Sequence, residues 1–221
     1  MSTTPEPHPT PTGPADTLPL RGGVPVPALG PGVFRSPAGR VTQQAVTAAL
    51  DVGYRHIDTA AVYGNEADVG HGVRESGLDR EQVFITTKLW NADHGYQPTL
   101  DAFERSRRLL GVDHIDLYLV HWPVPGKRLE TWRAMEHLLE TGKARAIGVS
   151  NYMTRHLEEL LDHAQQLPSV NQFEISPKST HADRVAGNAD VFGFTLTDAE
   201  METLDALDQN LVTAWDPTTT P

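Results

Sequence analysis

The chain has 221 residues, 38% of them hydrophobic and 21% charged, which is typical of a globular protein with one sizeable core. Its net charge of -11 argues against nucleic acid or an anionic membrane as the main partner. The absence of cysteine excludes disulfides and a thiol nucleophile, and no apolar run approaches the ~20 residues of a membrane span. We expect a cytoplasmic protein, because the N-terminus also lacks the basic start and apolar segment of a signal peptide.

The two ends of the chain differ in composition from the middle. Residues 1–19 are rich in proline, threonine and acidic residues, which predicts a disordered tail. Residues 211–221 have a similar composition and are predicted to form a second tail. The intervening residues 20–210 are predicted to form a single domain.

Strand and helix patterns alternate between residues 24 and 174. Strands are predicted over residues 28–34, 54–59, 83–88, 114–120, 144–149 and 169–174. Helices are predicted over residues 41–52, 66–75, 99–110, 129–140 and 154–164. Regular alternation of this kind is typical of a parallel sheet with crossover helices.

The number of units is too small for a complete barrel. Eight βα units typically need about 250 residues, and no convincing seventh unit follows residue 174, only a helical pattern over residues 195–208. We therefore predict an α/β fold of the parallel (β/α)8 TIM-barrel type, truncated to about six βα units plus C-terminal helices.

Polar side chains end three of the predicted strands. Strand alternation makes Asp58, Lys88 and His121 the last members of one row on three successive strands, and Tyr63 follows in the loop after Asp58. Parallel strands would bring these side chains to one rim, and residues at the carboxyl ends of barrel strands are typically catalytic.

This set of groups suits proton transfer to a carbonyl oxygen. A tyrosine, with an ordinary pKa of about 10, is a poor acid at neutral pH unless a nearby cation stabilises its phenolate. Lys88 can supply that cation, Asp58 can hold Lys88 charged, and His121 can bind the carbonyl oxygen or assist the proton relay. No side chain donates hydride, so a reduction would require a nicotinamide cofactor.

Four sequence strings, HIDTAAVYGNE, FITTKLW, LYLVHWP and AIGVSN, resemble the aldo/keto reductase superfamily, most closely its prokaryotic 2,5-diketogluconate reductase type. The resemblance implies a TIM barrel that binds NADP(H) without a Rossmann fingerprint. It places the catalytic tetrad on Asp58, Tyr63, Lys88 and His121. It also implies a monomer that acts on a small aldehyde, ketone or sugar-derived carbonyl compound.

The same resemblance assigns the cofactor contacts and one pocket residue. The nicotinamide carboxamide would contact Ser150, Asn151 and Gln172, and Trp90 would line the substrate pocket. A second string of cofactor residues falls on Pro177, Lys178, Ser179, Arg184 and Asn188. Within that string Lys178 and Arg184 would bind the 2'-phosphate, which favours NADPH. Without the resemblance, these two cations would be a solvated pair at a helix start.

The sequence departs from the family pattern in two places. Gly187 replaces a glutamate that contacts adenine in many members. The strings VNQFE and PKST are almost fused, so that roughly 60–80 residues of a whole barrel are absent. Six strands would leave open sheet edges, through which two chains could associate.

Two other functions compete with carbonyl reduction. The chain could be a catalytically impaired remnant or binding module that retains the tetrad. A metal-dependent hydrolase is disfavoured, because His121 and Asp58 alone are too few ligands for a closed site, and we predict no metal. His56, one row below Asp58, is predicted to be structural, and Gly30 and Gly32 to serve a tight turn.

Overall fold

The computed structural model of the chain describes residues 11–173. The predicted C-terminal helices, the C-terminal tail, and residues 177–188 of the second cofactor string lie outside the described residues.

Five parallel strands form the main sheet, in which each strand lies beside the next one along the chain. The register places Asp58 opposite Thr86 and Lys88 opposite Leu119. The strands are β3 (His56–Asp58), β4 (Phe84–Leu89), β5 (Ile115–Val120), β6 (Ala144–Ser150) and β7 (Asn171–Gln172). A parallel half-barrel with crossover helices results, which confirms the predicted fold class.

Five helices pack on the outer face of the sheet. Helix α1 (Arg40–Asp51) precedes β3, and each of the four crossovers contains one helix: α2 (Glu66–Glu75), α3 (Tyr96–Leu110), α4 (Arg128–Glu140) and α5 (Thr154–Leu161). Helix α3 ends at Gly111, whose φ of 69° is the left-handed conformation that glycine adopts most easily. Among the helices of residues 11–173, none combines the length and apolar character needed to cross a bilayer.

The larger apolar core lies between the sheet and these helices. Side chains that point outward from neighbouring strands, such as Ile57, Ile85, Tyr118 and Ile147, are fully buried there. Because side chains alternate along each strand, the sheet has an outer face that packs against the helices and an inner face whose carboxyl end carries polar groups.

An antiparallel hairpin of β1 (Thr17–Pro19) and β2 (Pro25–Pro27) covers the inner face at the amino ends of the strands. Leu20, Val24 and Val26 pack against an inner apolar cluster made of Phe84, Leu117, Leu119 and Ala146. We call these three hairpin residues the floor. Residues 17–19, predicted to belong to a disordered tail, thus form β1. The sequence pattern does not indicate this hairpin, because its strands are short and rich in proline and its apolar partners are far away in sequence.

The first predicted strand, over residues 28–34, is wrong as a regular strand. Only Gly32 pairs with the sheet, by an isolated parallel bridge to Asp58. Pro31 lacks an N–H group, so this segment cannot make a full ladder. Gly30 serves close packing rather than a tight turn, since a Cβ atom there would lie 2.6 Å from Cγ of His56.

The sixth predicted strand is shorter than expected. Strand β7 contains two residues, although the Ser169 N–H also donates to the carbonyl of Ile147 at 2.9 Å. The other predicted strands and helices match the observed elements to within a few residues at each end.

A buried carboxylate ties the strands together at their amino ends. Asp116, at the start of β5, is 1% exposed and accepts hydrogen bonds from Arg80, from Arg145 and from the backbone N–H of Ile85. Burying this charge is tolerated because it is paired and hydrogen-bonded on several sides. It fixes β4, β5 and β6 relative to one another.

Helix α2 packs so closely against the end of α3 that it needs glycine at position 70. A Cβ atom on Gly70 would lie 2.0 Å from the carbonyl oxygen of Leu110. Helix propensity alone would make Gly70→Ala stabilising by up to about 1 kcal/mol, but the contact is with backbone that cannot move aside. We expect a loss of roughly 1–3 kcal/mol in the free energy of unfolding, measured by urea titration.

Ala67→Ser, at an exposed position on the same helix, is the control and should change stability by less than about 0.5 kcal/mol. A Gly70→Ala protein as stable as the parent chain would show that α2 and α3 are farther apart.

Candidate active site

Three polar side chains meet at the carboxyl rim of the sheet because of the register of β3, β4 and β5. Asp58 ends β3, Lys88 lies near the end of β4, and His121 follows β5. Tyr63 ends a short 3-10 helix (Ala61–Tyr63) in the loop after β3. The three residues predicted from the strand rows, and Tyr63 from the loop after the first of these strands, therefore lie on adjacent elements of one rim.

Lys88 and Asp58 form the central ion pair of this rim. The Lys88 ammonium donates hydrogen bonds to Oδ1 of Asp58 at 2.5 Å and to the carbonyl of Thr59 at 3.0 Å. Lys88 is only 2% exposed. Burial tends to raise the pKa of Asp58, but the Lys88 charge and the hydrogen bonds from Lys88 and Gln172 hold that pKa below its ordinary value. The carboxylate is therefore ionised at neutral pH and keeps a buried cation in place.

Tyr63 is half-buried beside this pair. The Lys88 nitrogen lies 5.6 Å from the centre of the Tyr63 ring. The ring of His121 stands nearly perpendicular to that of Tyr63, with centres 5.9 Å apart, and Phe34 packs against Tyr63 at 5.0 Å. The Tyr63 ring thus lies close to both the Lys88 cation and the His121 imidazole.

The loop that carries Tyr63 is anchored by a buried asparagine, Asn65, which is not among the residues predicted for the site. Asn65 accepts a hydrogen bond from Thr59 Oγ1 at 2.9 Å and donates to the carbonyl of Val33 at 3.0 Å. Asn65 stands in the YGNE string, but nothing in the string alone indicates that it bonds to the distant segment of Val33 and Ser36.

His121 is buried and neutral. Its Nδ1 has no hydrogen-bond partner among residues 11–173. Burial, and next the positive charge of Lys88, lower its pKa to about 3. At neutral pH the imidazole is therefore a hydrogen-bonding group and not a cation. Trp90 lies edge-on to it, with ring centres 5.4 Å apart, which places the predicted pocket residue beside the predicted tetrad.

Ser150, Asn151 and Gln172 lie together at the same rim, on β6, in the following loop and on β7. Ser150 donates its hydroxyl proton to the carbonyl of Gln172 at 3.0 Å, and the Asn151 side chain donates to the carbonyl of His121 at 3.1 Å. The Gln172 amide donates to Oδ2 of Asp58 at 2.9 Å, a link that the sequence pattern does not predict. Lys178, Ser179, Arg184 and Asn188 lie outside the described residues.

His56 lies one row below Asp58, and its Nε2 is 2.9 Å from Oγ1 of Thr86. Burial lowers the pKa of His56. In the described part of the chain, no group of three or more histidine, aspartate or glutamate side chains could hold a metal ion.

The rim thus contains a buried ion pair with a phenol and a neutral imidazole beside it. These groups can donate and accept protons.

A sequence model of the aldo/keto reductase family matches residues 37–183. The chain is 51% identical to the glyoxal reductase of Bacillus subtilis over 173 residues, which cover 78% of this chain and 63% of that protein. It is 54% identical to the 9,11-endoperoxide prostaglandin H2 reductase of Trypanosoma cruzi over 158 residues, which cover 72% of this chain and 56% of that protein. The chain belongs to the aldo/keto reductase family.

Solved structures share the fold. An aldo/keto reductase from Brucella melitensis superposes with a TM-score of 0.83 at 34% identity, covering 88% of this chain and all of that one. An aldo-keto reductase from Bombyx mori in complex with NADP superposes with a TM-score of 0.84 at 28% identity, covering 90% of this chain and 94% of that one. The aligned part of the chain covers less than two thirds of the length of each of the two curated relatives. The superpositions, in contrast, cover nearly all of each of the two solved structures.

The low pKa of His121 makes stability depend on pH. In the unfolded chain a histidine has an ordinary pKa of about 6.5, whereas the folded value is about 3. Between these values the unfolded state binds the proton and the folded state does not. The free energy of unfolding should therefore fall as pH drops below about 6.5, and His121 should contribute about 1.4 kcal/mol per pH unit between about pH 5.5 and 4.5.

The measurement is urea unfolding at three pH values across this range, for the parent chain and for His121→Gln. The variant should lose that part of the slope. Identical slopes in the two proteins would show that the folded chain protonates His121 freely.

Proposed function

We propose that the chain is an NADPH-dependent oxidoreductase that reduces an aldehyde or ketone to an alcohol. The observation that carries the proposal is the buried ion pair of Lys88 and Asp58, with Tyr63 and neutral His121 against it at one rim. Such a group of side chains serves proton transfer to an oxygen, and it occurs in a member of a reductase family.

Tyr63 is the proposed general acid. Reduction of a carbonyl places negative charge on its oxygen, and a proton from the phenol neutralises it. The nearby Lys88 ammonium favours the phenolate that remains. Asp58 holds the Lys88 ammonium in a fixed position, so that the positive charge is already in place when the reaction begins.

His121 is proposed to hydrogen-bond the carbonyl oxygen. Its neutral state suits this role, because a neutral imidazole binds and orients the oxygen without competing with Tyr63 as the acid. Trp90, in contact with His121, is proposed to border the substrate.

The rim has polar groups that fit a nicotinamide. Ser150, Asn151 and Gln172 would hold its carboxamide, since their polar side chains lie beside the tetrad. Bound NADPH would supply the hydride. The proposal also assigns the adenosine end to Lys178, Ser179, Arg184 and Asn188, with Lys178 and Arg184 on the 2'-phosphate. NADP in the Bombyx mori relative supports this choice of cofactor.

The proposed substrates are small aldehydes, ketones and sugar-derived carbonyl compounds, and the similarity to a glyoxal reductase favours small reactive carbonyls. We further propose that the chain is similar to the 2,5-diketogluconate reductase type and that it acts as a cytoplasmic monomer. We also propose that it lacks roughly 60–80 residues of a whole barrel.

Replacing Tyr63 with phenylalanine tests the assignment of the acid. With NADPH and 4-nitrobenzaldehyde, Tyr63→Phe should lower kcat at least roughly a hundredfold, because a general acid contributes a factor of about 100 to 10,000. The measurement is the loss of NADPH absorbance.

Tyr118→Phe is the matched control, since it removes a buried hydroxyl that has no hydrogen-bond partner within residues 11–173. It should leave kcat unchanged. If both variants retained full activity, Tyr63 would not be the acid.

A second experiment separates the enzyme from a catalytically idle remnant, which the short coverage of the relatives makes the alternative. NADPH should raise the melting temperature of the chain, because a ligand that binds only the folded state stabilises it. Arg184→Gln should weaken NADPH binding roughly tenfold, through loss of a charged hydrogen bond, and leave NADH binding unchanged. A folded chain that neither binds NADPH nor consumes it would be the remnant.

A further inference from the structure

The Gln172 side chain connects the last described strand to the first strand of the main sheet. Its Nε2 donates to Oδ2 of Asp58 at 2.9 Å, although the two residues are 114 positions apart in the chain. Strands β3 and β7 are the two outer strands of the five-stranded sheet. This hydrogen bond therefore joins opposite ends of the half-barrel at the rim where the tetrad lies.

The backbone of Gln172 is held in place by the neighbouring strand and the loop after it. Its carbonyl accepts the Ser150 hydroxyl at 3.0 Å and the backbone N–H of Asn151 at 3.0 Å. The side chain of Gln172 thus starts from a fixed point, and its terminal amide can still face in either of two directions. That direction decides whether the rim presents an N–H donor or a carbonyl acceptor to a ligand.

The Lys88 ammonium fixes the direction of this amide through Asp58. The buried ammonium binds Oδ1 of Asp58 at 2.5 Å, which leaves Oδ2 for Gln172. An ionised carboxylate has no hydrogen to donate, so Gln172 must turn its NH2 group toward Asp58. The hydrogen bonds of Gln172 within residues 11–173 leave its Oε1 without a donor. Oε1 is therefore an acceptor that a ligand at the rim can use.

We infer that Lys88, acting through Asp58, orients the Gln172 amide so that the rim selects a ligand whose ring substituent carries an N–H donor. The inference rests on the proposed function, in which Gln172 contacts the nicotinamide carboxamide. It adds that Asp58 is a positioning residue for cofactor recognition as well as the partner of Lys88. A pyridine ring whose substituent has an oxygen but no N–H should bind less tightly, because Oε1 of Gln172 would lose its partner.

Asp58→Asn should reverse the direction of these hydrogen bonds. Lys88 still requires an oxygen, so the asparagine would turn its NH2 group toward Gln172. Gln172 would then turn its Oε1 toward the asparagine and its NH2 group toward the ligand. The preference for an N–H donor on the ligand should therefore disappear, whereas a hydrogen bond that merely joined β7 to β3 would leave that preference unchanged.

The test compares the binding of NADP+ and of its 3-acetylpyridine analogue to the full chain by isothermal titration calorimetry. The two ligands have the same charge and a similar shape, but the analogue has a methyl group in place of the NH2 group. NADP+ should bind the parent chain roughly fivefold to tenfold more tightly, and Asp58→Asn and Gln172→Met should each reduce this ratio to about twofold or less. Gln165→Met, at an exposed position, is the matched control and should keep the parent ratio. Equal binding of both ligands by the parent chain, or an unchanged ratio in Asp58→Asn, overturns the inference.

An exchange of donor and acceptor tests the same hydrogen bonds without any cofactor. Gln172→Glu alone places two carboxylates against each other and should lower the melting temperature near neutral pH. Adding Asp58→Asn should restore most of that loss, because the asparagine can turn its oxygen to Lys88 and its NH2 group to the new glutamate. A double variant that melts no higher than Gln172→Glu overturns the orientation inferred for Gln172. If NADP+ does not bind the parent chain, the proposed function and the ligand selection both fail, and the melting temperatures still decide the orientation.

Discussion

The buried ammonium of Lys88 is the constraint on which the rim depends. A cation that is 2% exposed must be compensated by a charge and by hydrogen-bond acceptors, and Asp58 and the carbonyl of Thr59 provide both. Asp58 in turn receives the Gln172 amide, and Gln172 receives the Ser150 hydroxyl. One buried charge therefore orders side chains from four strands or the loops that follow them, and the proposed acid and imidazole are placed around it.

The two ends of the sheet use buried charge for different purposes. At the amino ends, Asp116 is enclosed by two arginines and a backbone amide, and it holds strands together. At the carboxyl ends, the Lys88–Asp58 pair adjoins aromatic rings and a histidine whose Nδ1 has no partner among the described residues. The network at the amino ends joins strands, whereas the carboxyl rim is where we propose that substrate and cofactor bind.

Much of this arrangement could be predicted from the sequence. The alternation of strands and helices gave the parallel sheet, and the strand rows placed Asp58, Lys88 and His121 at one rim, because both follow from local periodicity. The hairpin of residues 17–27 could not be predicted, since it is stabilised by apolar contacts with strands β4 to β6 that only the folded chain brings near. The link from Gln172 to Asp58 and the packing of Gly30 on His56 were missed for the same reason.

The floor has a consequence for the order in which the chain folds. Its hairpin precedes every strand of the sheet, yet the carbonyl of Arg21 accepts a hydrogen bond from the hydroxyl of Ser169, 148 positions later in the chain. At the rim, Asp58 accepts a hydrogen bond from Gln172, which lies 114 positions later. Contacts so distant in sequence close late, because long loops must be ordered before they form. During synthesis the floor must therefore wait in the unfolded chain until strands β4 to β6 have been made, and both the floor and the polar rim become complete only when the last described strand arrives.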